Sequence, residues 1–251
     1  MGKSGAIGFI GTVIFVILTA ARASAQSPAS ADTAFLLKSK LTASAIYNSA
    51  LYDQVGLYNG SEHVEHFDYK NPKGFPYYKS DDWTDGNIVY DSGVYTNVPM
   101  MYDVLNDKVI VEAPYSHFKL ELVSEKVNSF RIFDRDFVRI ATFAGDSTFR
   151  TGFYEVIYHG PKADAFVHRR KDRQETPHTS GIEVEYLNKD AYFVLRNGVY
   201  YRIRKKSSVL TAFADKKKAL KKSMRAHREL NFWKRKEASL ALVTRLYNEL
   251  D

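Results

Sequence analysis

The chain has 251 residues, no cysteine and a formal net charge of +7. That length allows one domain, or one domain with an appendage, around a sizeable buried core. The lack of cysteine excludes disulfides, thiolate zinc sites and a cysteine nucleophile, and it favours a bacterial periplasm or surface over the disulfide-rich exterior of a eukaryotic cell.

The first residues predict a cleavable secretory leader, residues 1–25. Lys3 precedes an apolar run from Ala6 to Ala21, broken only by Gly8, Gly11, Thr12 and Thr19, and Ala23-Ser24-Ala25 supplies the small-x-small pattern that signal peptidase accepts. About sixteen apolar residues fall short of the roughly twenty that a bilayer span needs. Cleavage after Ala25 is therefore expected rather than an anchor, and no cysteine follows the run to carry a lipid. The mature chain would begin at Gln26, have no transmembrane segment, and lie in the periplasm or on the cell surface. Losing Lys3 and Arg22 lowers the charge from +7 to +5, and from Thr211 onward eleven Lys and Arg oppose five Asp and Glu. The basic character belongs to the tail.

Residues 26–56 read as a small-residue linker followed by a helix over Leu41–Val55. In that helix Ala45, Tyr52 and Val55 recur at helical spacing, with Gly56 as a stop. From Leu57 to about Phe213 the period becomes two. Phe118, Leu120 and Leu122 alternate with Lys119 and Glu121; Tyr154, Val156 and Tyr158 alternate with Phe153, Glu155 and Ile157; Val199, Tyr201 and Ile203 alternate with Tyr200, Arg202 and Arg204. Turn signals punctuate these runs at Asp91-Ser92-Gly93, Asp134-Arg135, His159-Gly160-Pro161-Lys162 and Asn197-Gly198, the last being the strongest short-range hairpin signal.

Helix returns in residues 214–251. Asp215 is placed to cap Lys216–Glu229, with Leu220, Met224 and His227 on one stripe. Asn231-Phe232-Trp233 breaks the run. A last helix from about Arg235 to Leu250 puts Val243, Leu246, Tyr247 and Leu250 on one face. The expected architecture is α+β: mainly an antiparallel β-meander, as a sandwich or open barrel over 57–213, with an N-terminal helix and two C-terminal helices packed on the sheet.

No catalytic set emerges from the residues. His63-Val64-Glu65-His66 offers metal-ligand types, but strand alternation sends His63 and Glu65 to one side and His66 to the other. Asp81, Asp82 and Asp85 around Trp83 lack the spacing of a calcium loop. His168-Arg169-Arg170-Lys171 reads as a strand end leading into a mobile polar loop that closes at Pro177-His178-Thr179-Ser180-Gly181. No cofactor is expected. The candidate contact site is the aromatic stretch Phe75, Tyr77, Tyr78 and Trp83, whose ring types anchor partners or stack on sugars. The basic tail suits an anionic lipid surface or a polysaccharide, or simply a solvated face covering the sheet. Nucleic acid is not expected for an exported chain.

Leu57-Tyr58-Asn59-Gly60, Gly86 to Val98 continuing as Pro99-Met100-Met101-Tyr102-Asp103, and Gly152-Phe153-Tyr154-Glu155-Val156 resemble an uncharacterised family of exported β-rich proteins of Gram-negative bacteria. The resemblance implies the fold, including the closing helices, and brings no activity and no functional residues. The functional expectation is an exported, non-enzymatic binding or scaffolding module whose partner is an envelope protein, a glycan or an anionic lipid surface. The alternatives are a glycan- or peptidoglycan-directed hydrolase, using carboxylates such as Glu65, Asp81 or Glu155, and a periplasmic lipid carrier.

Overall fold

The computed structural model describes residues 39–40, 42–43, 46, 56–64, 72–114, 116–141, 149–179, 181–227 and 234–250. Ser39 apart, these belong to one compact unit, Lys40–Asp251. The expected leader lies outside the described residues. So does most of the Leu41–Val55 helix, of which Thr42, Ala43 and Ile46 are described and are helical.

Thirteen strands follow in chain order. They are β1 (Ser61–Glu62), β2 (Thr84–Tyr90), β3 (Gly93–Asp103), β4 (Lys108–Glu112), β5 (Lys119–Glu121), β6 (Val127–Ile132), β7 (Arg135–Ile140), β8 (Gly152–Tyr158) and β9 (Ala163–His168), then β10 (Lys171–His178), β11 (Gly181–Asn188), β12 (Ala191–Arg196) and β13 (Val199–Ile203). Eleven form one sheet in the order β1-β5-β4-β3-β2-β6-β7-β8-β9-β12-β13, and β10 pairs only with β11 among the strands. The large sheet is two meanders back to back. The chain runs outward from β2 to β5, returns through the short turn Ser124–Lys126, and runs outward again from β6.

The hairpin turns follow from residues that enter the left-handed region. Asp91 and Ser92 have φ of 48° and 66°, Phe133 and Asp134 have 50° and 58°, and Asn197 and Gly198 have 51° and 74°. Two consecutive positive φ values match a type I′ turn to the right-handed twist of its strands.

Alternation then sorts the side chains into separate cores. Ile88, Tyr90, Met100, Tyr102, Val111, Phe130, Phe137 and Phe153 pack as one cluster over the first meander, with Phe130 and Phe137 stacked at 4.7 Å. Further along, β9 is covered on both faces. Ala163 and Ala165 meet the helices, while Phe166 packs with Phe149, Tyr154 and Phe193 on the other side.

Three α-helices close the chain: α1 (Lys206–Ala212), α2 (Lys217–Ala226) and α3 (Lys236–Glu249). α1 lies within the span expected to be sheet, and its Val209 and Ala212 are buried with Ile203 of β13. In α3, Leu240, Val243, Thr244 and Tyr247 recur at spacings of three and four and turn inward. The far end of α3 docks on the β8–β9 turn, where the Asn248 side-chain oxygen accepts from the amides of Lys162 (2.7 Å) and Ala163 (3.2 Å). Asp215 does not cap α2. Its carboxylate takes the Tyr247 hydroxyl at 2.9 Å and Arg196 at 3.2 Å, and α2 has no side-chain cap.

The run expected to be a mobile loop is a regular strand, β10, paired with β11 from Lys171↔Asn188 to His178↔Gly181. Strand character was hidden because β10 is polar on both faces, so no apolar alternation marks it. Charged residues and Pro177 along its outer edge also disfavour pairing with another chain.

Candidate functional site: a cleft anchored on Arg169

β9 puts Val167 on one face, and the next residue on that face is Arg169, just past the strand end. Glu155 of β8 is the cross-strand partner of Val167, so sheet register alone brings Glu155 diagonal to Arg169. The first turn of α3 adds Glu237, and the turn before β12 adds Asp190.

All three carboxylates close on the one guanidinium. Arg169 Nε donates to Glu155 Oε2 at 2.6 Å, Nη1 donates to Asp190 Oδ2 at 2.7 Å and to Glu237 Oε1 at 2.6 Å, and Nη2 donates to Glu237 Oε2 at 3.0 Å. Glu155 is fully buried, and its Oε2 also accepts the Tyr78 hydroxyl at 3.0 Å. Its other oxygen, Oε1, lies 3.7 Å from Arg135 Nε and has no hydrogen-bond partner among the described residues.

The electrostatics follow from this crowding. Burial pulls the Arg169 pKa down, but the Glu237 hydrogen bond and the Glu155 and Asp190 charges outweigh it and hold the guanidinium above its ordinary value. The Arg169 bond keeps the Glu237 carboxyl below its usual range, against the opposing effect of burial. Burial and then the Glu155 charge push the Tyr78 hydroxyl up, which keeps it a neutral donor. Every acid here is committed to an ion pair.

Above this anchor opens a cleft of about 430 Å³ lined by Phe75, Tyr78, Lys79, Val104, Arg135, Arg169, Arg170, Lys171, Asn188, Asp190 and Glu237. Lys171 is held in the wall, its Nζ donating to the carbonyls of Phe75 (2.7 Å) and Tyr77 (2.6 Å), and burial lowers its pKa. The remaining cations are accessible. The Arg135 side chain is 50% exposed and that of Arg170 is 38% exposed. Lys79, in the left-handed region at φ 60°, turns Tyr78 inward and sets its own Nζ 5.2 Å over the Tyr78 ring. The hairpin root forms one rim, since Lys189 N donates to Arg170 O and Arg170 N donates to Asp190 Oδ1.

The aromatic stretch divides around this cleft. Phe75 and Tyr78 line it. Tyr77 is buried with Met101 and Ile110, and half-buried Trp83 packs on the same cluster, which Phe75 also touches. Of the carboxylates Glu65, Asp81 and Glu155, Glu155 is the buried anchor, Asp81 is exposed, and Glu65 lies outside the described residues. His63 pairs with Glu121 at 2.8 Å, while His66 is outside the described residues. Asp81, Asp82 and Asp85 are exposed. Among the described residues no group of three His, Asp or Glu is arranged to hold a metal.

Sequence reasoning assigned Arg169 to the polar run and missed the network. One signal was available: a strand that buries Ala165 and Val167 points its next odd position, 169, to the same side.

A second buried polar cluster lies on the opposite face. Asp107 accepts the Tyr102 hydroxyl at 2.7 Å, and His168 Nε2 sits 3.9 Å from its other oxygen without a hydrogen bond among the described residues. Tyr154 stacks on the His168 ring at 4.6 Å. No protein-family model, curated protein or solved structure matches the chain.

Proposed function

We propose that the chain is an exported, non-enzymatic binding module of the cell envelope. Its binding site is the Arg169 cleft, and its ligand presents a carboxylate or phosphoryl group beside a ring or other apolar portion. The observation that carries this reading is the arrangement of charge. Three carboxylates immobilise Arg169, while Lys79 and Arg135, both exposed, and the partly exposed Arg170 line the same cleft. Planar guanidinium groups suit oxyanions, which they bind through paired hydrogen bonds. Phe75 and Tyr78 supply apolar wall beside them. A general acid must hold a proton near neutral pH, whereas Arg169 keeps Glu237 ionised, which supports binding over hydrolysis. The leader supports export.

Titration calorimetry of the mature chain tests the site. The probes are a galacturonate trisaccharide, for the carboxylate source, and a sugar phosphate of similar size, for the phosphoryl source, each against a neutral trisaccharide. The reading expects one saturable site for one of the charged probes. It also expects a loss of about tenfold or more in the double variant R135A/R170A, since a charged hydrogen bond is worth roughly 1.5–3 kcal/mol. Saturable binding of the neutral sugar alone, or of no probe, contradicts it. Export is checked by N-terminal sequencing of the envelope fraction, which should start at Gln26; an intact cytosolic chain contradicts it.

A further inference from the structure

We infer that the chain docks through its C-terminal helices onto an anionic lipid surface, using a face separate from the cleft. Nine exposed Lys and Arg lie between Arg202 and Arg225. The only carboxylate from Arg202 to His227 is Asp215, and that one is already held by Arg196 and Tyr247. None of the nine is paired with a carboxylate among the described residues, so the patch has no internal counter-charge.

Helix geometry shows how the patch is built. On α2, Lys217, Lys218, Lys221, Lys222 and Arg225 are exposed, whereas Leu220 is buried and Met224 half-buried against α3 and the sheet. At 100° per residue the five cations span an arc of about 140° that leaves out Leu220 and Met224. Arg202, Arg204, Lys205 and Lys206 continue the charge from the end of β13 into α1. One contact ties the pieces together: Lys206 lines the same small cavity as Met224 and His227 of the α2 end.

Charge complementarity selects the occupant. The cations stand on the outside of a helix, with no exposed aromatic ring among them from Lys216 to Ala226, so the base-stacking platform that single-stranded nucleic acid uses is missing. Among the described residues from Arg202 to His227 no large apolar residue is exposed beside them. The patch therefore offers electrostatic attachment at the level of the headgroups.

Vesicle co-sedimentation of the whole mature chain tests this. Vesicles of phosphatidylcholine with about one-third phosphatidylglycerol should retain at least about tenfold more protein than pure phosphatidylcholine, and raising salt to roughly 0.5 M should release it. The variant K217E/K218E/K221E/K222E should lose that retention. The neutral K217Q/K218Q/K221Q/K222Q provides a second reading if charge reversal prevents folding, with circular dichroism as the fold control. R135A/R170A should sediment as the wild type does, which separates this face from the cleft. Equal retention on both vesicle types overturns the inference, as does wild-type retention by either folded quadruple variant. So does preference for duplex DNA over the anionic vesicles in a competition sedimentation.

Discussion

Replacing Arg169 by Met removes the one cation that three carboxylates share. Glu155 is 0% exposed, so it loses its hydrogen-bonded cation where water cannot replace it and keeps only the Tyr78 hydroxyl and the longer Arg135 pair at 3.7 Å. Breaking a buried ion pair by deleting one partner costs roughly 3–5 kcal/mol. Asp190 and Glu237 have side chains 22% and 37% exposed, so water recovers most of their loss. They add less than about 1 kcal/mol each. At roughly 2–4 °C per kcal/mol for a chain of this size, the melting temperature of R169M should fall by about 10 °C. The double variant E155Q/R169M leaves no buried charge and should regain roughly 2 kcal/mol over R169M alone. R170M, which loses only a partly exposed pair with Asp172 at 3.8 Å, should stay within about 0.5 kcal/mol of the wild type. Urea unfolding followed by circular dichroism measures all three. An R169M chain within about 1 kcal/mol of the wild type, or a double variant no better than the single, would refute the claim that Arg169 neutralises a buried acid.

Other consequences are open to simple measurements. Burial raises the pKa of Tyr78, Tyr102 and Tyr154, and raises Tyr192 to about 12. A group whose folded pKa is raised stabilises fully below its unfolded value and loses that contribution as pH climbs through the folded one. Stability should therefore fall steeply above about pH 10, in step with tyrosinate absorbance; a flat urea midpoint up to about pH 11.5 contradicts this. Glu237 is shifted the other way, so its contribution is present above its ordinary value of 4.5 and is lost as pH falls through the lower folded value. E237Q should therefore show a shallower loss of stability than the wild type below about pH 4.5, and parallel acid curves would sink the idea. A Cβ at Gly152 would press into the Asp107 carboxylate and lie 3.2 Å from His168 Nε2. G152A should cost about 2–3 kcal/mol in thermal unfolding, whereas G181A, with open space around it but φ +132°, should lose only about 1 kcal/mol, through backbone strain.

The meander was legible because its strands carry the two signals that sequence displays well, period-two burial and positive-φ turns such as Asn197-Gly198. The C-terminal helices showed equally well through the spacing of Val243, Leu246, Tyr247 and Leu250. β10 was not legible, since a strand with both faces in water has no hydrophobic period. α1 escaped because Lys206–Ala212 completes barely two turns, too few to display a stripe. The cleft was half visible. The stretch Phe75–Trp83 pointed to its wall, but the anchor draws on Tyr78, Glu155, Arg169, Asp190 and Glu237, five positions spread across more than half of the chain. Only sheet register, in which Glu155 lies opposite Val167, brings them together.

The central claim is that the cleft pairs one arginine locked by three carboxylates with two more accessible ones, Arg135 and Arg170, each held only by one longer ion pair, at 3.7 Å and 3.8 Å. Side-chain Nε–H resonances of labelled arginine read this directly during titration with galacturonate trisaccharide and then sugar phosphate. The account predicts saturable shifts at Arg135 and Arg170 with one of these probes, while the Arg169 signal, already bound to Glu155, stays in place and exchanges slowly with water. Equal drift of all exposed arginines, Arg202 and Arg204 included, or a mobile and fast-exchanging Arg169, would contradict it.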